Sequence, residues 1–267
     1  MIIGLIGKKQ VGKDTVGKIL QYLSLPEDVF NKNTSTIVAD LLQHNSCAAN
    51  TANYKIKKFA EKLKQIVCLL IGCTREQLED EEFKNTELGE EWTVYQAIQH
   101  GNSTDTVVSI HLRRIEAEYI RAFSHTNYVE TRVLTPRLLL QLLGTEFGRN
   151  LIHPNIWVNA LMQEYKNEYH DENHCSVGVE RHQEACMPSW IITDVRFPNE
   201  VKAIEERGGI LIRVENSKLV KSDDVHESET ALDNYSTIFT IHNNGTIEEL
   251  VEEVRKVAKQ TGVLAWC

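Results

Sequence analysis

Residues 1–15 read MIIGLIGKKQVGKDT, and Gly7 to Asp14 within them, GKKQVGKD, decide how the rest of the chain is read. Ile2 to Ile6 is a short apolar run ending at glycine, the pattern of a strand buried in a parallel sheet. Val16, Ile19, Leu20 and Leu23 then recur at helical spacing, so the glycine-rich segment joins a strand to a helix. A glycine, four residues, a glycine and a lysine is the spacing of a loop whose backbone N–H groups cradle phosphates at the positive end of a helix. Its lysine reaches the β- and γ-phosphates. Gly7, Lys9, Gly12, Lys13, Asp14 and Thr15 are therefore the candidate nucleotide-binding residues. The plainer alternative is a pair of glycines that only turns the chain from strand to helix; the spacing and the lysine argue against it. Asp14 stands where a hydroxyl normally meets Mg²⁺. A carboxylate is also a hard oxygen ligand and a good helix cap, so the two roles stand side by side.

The 267 residues are 42% hydrophobic and 25% charged, a composition of soluble globular proteins. The net charge of −9 argues against non-specific duplex binding, which wants a basic face, and leaves room for a small anionic substrate met by local cations. Six irregularly spaced cysteines do not form a disulfide framework, so a reducing compartment is the simpler expectation. No apolar run reaches membrane-spanning length and no secretory signal is seen, so a cytoplasmic location and no membrane or nucleic-acid partner are expected.

Beyond the first helix, residues 24–53 are polar, with a short helix expected at Ile37–His44. Tyr54 to Phe59 suggests a strand. Ala60 to Ile71 reads as an amphipathic helix, with Leu63, Ile66, Val67, Leu70 and Ile71 on one face and Gly72 as its stop. Residues 101–133 read as an inserted, mostly helical segment. Thr135 is expected to cap a helix that opens on Pro136, and Pro154 to Tyr165 to form another. Residues 168–188 read as a polar surface excursion. Their histidines and cysteines lack a clean CxxC pair, which favours a solvated loop over zinc. WIITDVRF and GILIRVE read as strands around a helix at Asn199–Arg207, and STIFTIHN and Thr246–Thr261 close the chain as strand and helix. The alternation argues for an α/β fold with a mostly parallel sheet covered on both faces.

Two further constellations carry charge. Asp194, Arg196 and Glu200 cluster where a buried strand ends, which is where ligands sit in open α/β sheets. An acid there holds Mg²⁺ or orients a nucleophile, and an arginine suits bidentate binding of a phosphoryl group; a structural Asp–Arg pair is the plainer alternative. Arg137 and Gln141 lie one helical turn apart at the edge of an apolar helix, a candidate pair for phosphate and base recognition, with Arg149 adding charge. Trp157 suits stacking on a base, although a tryptophan taken alone belongs more often to a core.

Taken together, GKKQVGKDT, FAEKLKQIVCLLIG, LTPRLLLQLLGTEFGR with HPNIWV, WIITDVRFPNEVKAIEERGG, HESE and HNNGTIEEL resemble, in order and to about residue 260, the bacteriophage-type deoxynucleoside monophosphate kinases. The resemblance implies a single domain with the P-loop NTPase fold, a three-layer α/β/α arrangement with helical acceptor-binding and insert segments. It implies transfer of the ATP γ-phosphate to a deoxynucleoside monophosphate with Mg²⁺, and a viral source working in host cytoplasm. Gly7–Thr15 would hold ATP, with Asn243, Asn244 and Gly245 at its adenine end. Lys64, Lys84, Arg137, Gln141, Arg149, Trp157 and Glu200 would serve the acceptor. Lys13, Asp194 and Arg196 would be catalytic, and Asp14 and Asp194 would face the metal. A lid is implied near 216–235, with His226–Glu229 in it and Arg213, Lys218 and Lys221 as its available cations. Residues 101–133 and 168–188 have no counterpart in that pattern. A homodimer is neither required nor excluded. A phosphomevalonate kinase-like enzyme, which shares a GKD loop and an Asp-x-Arg strand end, and a nucleotide-binding interaction module are the competing readings.

Overall fold

Ile2–Ile6 forms β1 with every residue buried, and the strands that flank it fix the architecture. The computed structural model describes residues 1–25, 33–42, 53–99, 106–112, 127–166, 187–218 and 230–262. In chain order β1 is followed by helices α1 (Lys13–Leu23) and α2 (Thr34–Leu42), strand β2 (Tyr54–Lys57), and helices α3 (Glu61–Ile71), α4 (Arg75–Glu79) and α5 (Glu81–Asn85). Strands β3 (Thr93–Gln99), β4 (Thr106–Leu112) and β5 (Asn127–Val133) come next. Then follow α6 (Pro136–Gln141), a π-helical stretch over Leu142–Ile152, and α7 (Ile156–Met162). Strand β6 (Ser189–Val195), α8 (Pro198–Glu205), β7 (Ile210–Glu215), β8 (Phe239–His242) and α9 (Ile247–Gln260) complete the chain.

These elements form two compact units, Met1–Glu61 with Asn155–Cys267, and Lys62–Pro154. The first is built on a five-stranded sheet in the order β2-β6-β1-β7-β8, parallel throughout. Alternate residues of the strands feed opposite faces. Ile3, Leu5, Ile191, Ile212, Val214 and Ile241 pack with α1, α2 and α9, while Ile2, Ile6, Trp190, Ile192 and Leu211 pack with α7 and α8. The result is the expected three-layer α/β/α arrangement. Because every strand runs the same way, the loops after β1, β2, β6, β7 and β8 gather on one edge, where ligands of such sheets bind. Register aligns the ends closely, with Lys57 of β2 beside Ile192 of β6 and Val195 of β6 beside Ile6 of β1.

The second unit departs from the sequence reading. Within 101–133 the described residues are strands: β4 and β5 flank β3 in an antiparallel sheet, with Thr93 opposite Val133 and Gln99 opposite Asn127. For residues 106–112 and 127–133 the expected helix is corrected accordingly. TVVSIHL and NYVETRV carry β-branched residues that lose rotamer freedom in a helix and fit a pleated surface. The expected cap at Thr135 is present: its hydroxyl accepts the Leu138 amide at 3.2 Å, with Pro136 in the first turn. On α3, Leu63 and Val67 are buried but Ile66 and Leu70 are 42% and 51% exposed, so the apolar face is only partly covered within the described residues. Residues 168–186 of the second expected excursion and the cover residues 219–229 lie outside the described residues. Among the described residues no helix is long and apolar enough to cross a membrane.

Candidate active site

The loop between β1 and α1 is shaped by close approach rather than by glycine content alone. Gly7 adopts φ 146°, and a Cβ there would lie 2.3 Å from the Val214 carbonyl oxygen of β7. Gly12 adopts φ 97° in the left-handed region and opens α1 with no side chain over the helix's free amides. A Cβ on Gly12 would meet the Asn243 amide at 2.5 Å, and Asn243 Nδ2 donates to the Val11 carbonyl at 2.9 Å. Asn243, just past β8, thus braces the loop from behind. Gln10 also takes a positive φ of 65°, a conformation that costs a non-glycine residue energy and keeps the loop open in a fixed shape. The Lys13 ammonium folds back across this concavity and donates to the Gly7 and Lys8 carbonyls at 2.5 and 2.6 Å. Lys9 stands exposed on the loop, and Thr15 follows in the first turn of α1.

Next to the loop, β6 presents its charged end. The Thr193 hydroxyl donates to Asp14 Oδ1 at 2.6 Å, and the Lys58 ammonium pairs with the same oxygen at 2.8 Å. Asp194 receives the Phe59 amide on Oδ1 at 2.8 Å and the Ala60 amide on Oδ2 at 2.9 Å. Its rim is partly exposed, yet it lies deep among protein atoms. Burial pushes its carboxyl above the usual aspartate range, against the pull of those two amides and of the Lys58 and Arg196 charges. Arg196 and Phe197 donate their amides to Glu200 Oε2 at 2.8 and 3.2 Å, and Glu200 is 1% exposed. Glu200 therefore sets the path of the turn that carries Arg196. Trp157 on α7 is 7% exposed and walled in by protein.

The segment after β7 is anchored at both described ends. Asn244 Oδ1 accepts the Ser217 amide and hydroxyl at 2.8 and 3.0 Å, which ties the loops after β7 and β8 together. A Cβ on Gly245 would collide with Glu249, which completes the Thr246 capping box of α9. Of the cations expected for a cover, Arg213 instead donates to the Leu232 carbonyl at 3.1 Å and to the Tyr235 carbonyl. Lys218 is exposed, and Lys221 lies outside the described residues. Lys8 pairs with Asp233 at 3.1 Å, so the phosphate loop touches the descending end of this segment.

The other candidate residues belong to the second unit, where carboxylates hold Lys64, Lys84 and Arg137. Lys64 and Arg75 share Glu79 Oε1 at 2.8 and 2.6 Å. Burial alone would raise the Glu79 carboxyl, and the two cations outweigh it and hold it below the ordinary glutamate range. Lys84 pairs with Glu81 Oε1 at 2.9 Å, and Arg137 reaches Glu81 Oε2 and donates to Asn85 Oδ1 at 2.8 Å. Gln141 is exposed at the end of α6, and Arg149 is half-buried in the π-helical stretch that follows. A π-helical segment is uncommon and concentrates at functional sites.

The structure brings Gly7–Thr15, Thr193 and Asp194 to one sheet edge, and groups Lys64, Lys84 and Arg137 around α4 and α5. Lys58 was missed as a candidate. Its sequence signal is a lysine pair closing the strand before FAEKLK, ordinary in itself, and only the fold sets it beside Asp14.

A family model described as deoxynucleotide monophosphate kinase matches residues 1–254. The chain is 26% identical over 255 residues to the deoxynucleoside-5′-monophosphate kinase of Escherichia phage T5, covering 87% of this chain and 85% of that protein. It is 33% identical over 124 residues to an Acanthamoeba polyphaga mimivirus protein whose assignment as a deoxynucleotide monophosphate kinase is itself provisional. That match covers 45% of this chain and 59% of the mimivirus protein. The match in order along nearly the whole length, on a parallel sheet with a phosphate loop after its central strand, sets aside the phosphomevalonate kinase-like and interaction-module readings: the chain belongs to the deoxynucleotide monophosphate kinase family.

Proposed function

We propose that this chain transfers the γ-phosphoryl group of ATP to a deoxynucleoside 5′-monophosphate, yielding ADP and the deoxynucleoside diphosphate. The observation that carries the reading is the loop after β1, where Lys13 lies across two main-chain carbonyls at the uncapped start of α1. A phosphate takes the place of those carbonyls, and Lys13 with the helix amides then grips the donor's β- and γ-phosphates. Phosphoryl transfer asks for position and charge compensation rather than covalent chemistry, so Arg196 at the end of β6 offsets charge on the transferred group. Lys64, Lys84, Arg137, Arg149 and Gln141 bind the acceptor. Trp157 and Glu200 are buried parts of the first unit's own frame, and Asn244 and Gly245 border the adenine.

Asp14 suits Mg²⁺, being a hard carboxylate whose side chain is 65% exposed beside the phosphate loop. Asp194 already accepts an amide on each oxygen and suits a water-bridged place instead. When bound, the ion supplies charge neutralisation across the β- and γ-phosphates.

The test is ADP release from ATP and Mg²⁺ with each deoxynucleoside monophosphate in turn, and with the ribose forms alongside. Acceptor-dependent release is expected, and Lys13→Ala is expected to lower it by about a thousandfold, as for other loss of preorganised charge stabilisation. ATP turnover indifferent to every monophosphate, or near-normal transfer by Lys13→Ala, would overturn the proposal.

A further inference from the structure

Lys58 belongs to no motif that the phosphate loop or the strand end of β6 defines, yet the chain on both sides of it is fixed at that edge of the sheet. On its N-terminal side, Lys57 is held in register with Ile192. On its C-terminal side, the Phe59 and Ala60 amides are clamped by the two oxygens of Asp194, at 2.8 and 2.9 Å. From that position its ammonium reaches Asp14 Oδ1 at 2.8 Å, with 27% of the side chain still exposed. Asp14 immediately follows Lys13 in the first turn of α1, where a side chain meets the phosphate-bound cation in loops of this kind. Two ammonium groups therefore flank one phosphate loop, Lys13 resting on carbonyls and Lys58 on a carboxylate.

An ammonium carries three donors, and the contact with Asp14 uses one direction of them. An ion pair this exposed contributes little to stability, so its place in the fold is not explained by holding β2 to α1. A polyphosphate arriving at the loop brings several negative charges to the same spot and draws the second ammonium as it draws the first.

We propose that Lys58 is a second phosphate-binding cation of this site, held ready on Asp14 and contacting the donor's phosphates once nucleotide is bound. The proposal rests on the reading of Gly7–Thr15 as the ATP site, and its test keeps the two apart. ATP binding is measured by calorimetry in EDTA, where no divalent ion contributes, on wild type, Lys58→Met, Lys58→Arg, Asp14→Asn and Asp14→Asn/Lys58→Met. Wild-type binding that is lost in Lys13→Ala shows that the loop is the donor site; its absence sinks that reading before Lys58 is considered. Lys58→Met is expected to weaken binding about tenfold or more, the ordinary loss for one charge-assisted contact, and Lys58→Arg to restore most of it.

The decisive comparison is made in the Asp14→Asn background. If Lys58 touches phosphate, Lys58→Met still weakens binding there by a similar factor. If Lys58 only neutralises Asp14 or ties β2 to α1, the two Asp14→Asn proteins bind ATP equally, and the proposal is overturned. Lys58→Gln, closer in length and polar, replaces the methionine variant should that one melt early, and is read by the same criterion.

Discussion

Gly7→Ala is the substitution in which structure and chemistry meet most directly. A methyl group at this position would lie 2.3 Å from the Val214 carbonyl oxygen and 3.1 Å from Val11 Cγ2. Since the obstacle is the main chain of β7 and not a flexible side-chain tip, relief requires the ends of β1 and β7 to part by more than half an ångström. The backbone adds its own term, because φ 146° is a conformation that L side chains rarely adopt. Strained backbone costs about 1–3 kcal/mol and overpacking about the same, giving roughly 2–6 kcal/mol in all. For a unit of this size that lowers the melting temperature by roughly 4–24 °C. Gly208→Ala is the matched control in the same unit. Its φ of 68° is also positive, but nothing lies within 4 Å of the added Cβ, so only the conformational cost of about 1 kcal/mol applies. Thermal unfolding followed by circular dichroism and ATP titration together read the difference: Gly7→Ala melts well below Gly208→Ala and loses ATP binding, while Gly208→Ala keeps it. Equal melting of the two variants, or normal ATP affinity in Gly7→Ala, would refute the account of the loop as a shape set by close backbone approach.

Other consequences are open to measurement. Arg137→Ala should raise the KM for the monophosphate by about 10–100-fold, the loss of a charge-assisted contact, and leave the KM for ATP within about twofold in steady-state assays. Because the Glu79 carboxyl is held below its ordinary range, its contribution to stability is present at neutral pH and is lost as the pH falls through the folded-state value. The midpoint of denaturation should therefore drop on acidification below the ordinary glutamate range, less steeply in Glu79→Gln. Asp194 behaves in the opposite sense: burial raises its carboxyl, so the folded chain takes up that proton before the unfolded chain does and gains no acid lability from it. Protonation does make one oxygen a weaker acceptor for its amide, so turnover should show an acid limb above the ordinary aspartate range, absent from the pH profile of Asp194→Asn.

What was legible in the sequence was local. The Gly7–Asp14 spacing, the apolar Ile2–Ile6 run and the Thr135–Pro136 helix start are contiguous patterns whose physics is complete within a few residues, and each has its expected form. The antiparallel sheet of β3, β4 and β5 was not, because a single strand's alternation there is short and only pairing across intervening chain makes it a sheet. The site divides in the same way. Lys13 could be read from its neighbours, whereas the grip of Asp194 on Phe59 and Ala60 spans 135 and 134 residues. Glu200 shows a further limit, since charge at a strand end says nothing about whether the side chain turns outward or, as here, caps the turn from inside.

The brace that Asn243 applies to the Val11 carbonyl joins residues 232 positions apart. A ribosome adding 5–20 residues each second needs roughly 10–50 s to cover that interval. The loop leaves the exit tunnel long before Asn243 does, and is without its back wall for that interval. Nascent chains and products truncated before β8 are expected to carry the signature lysine and glycines without the rigid hollow they line, so that possession of the motif and capacity to hold nucleotide arrive at different times.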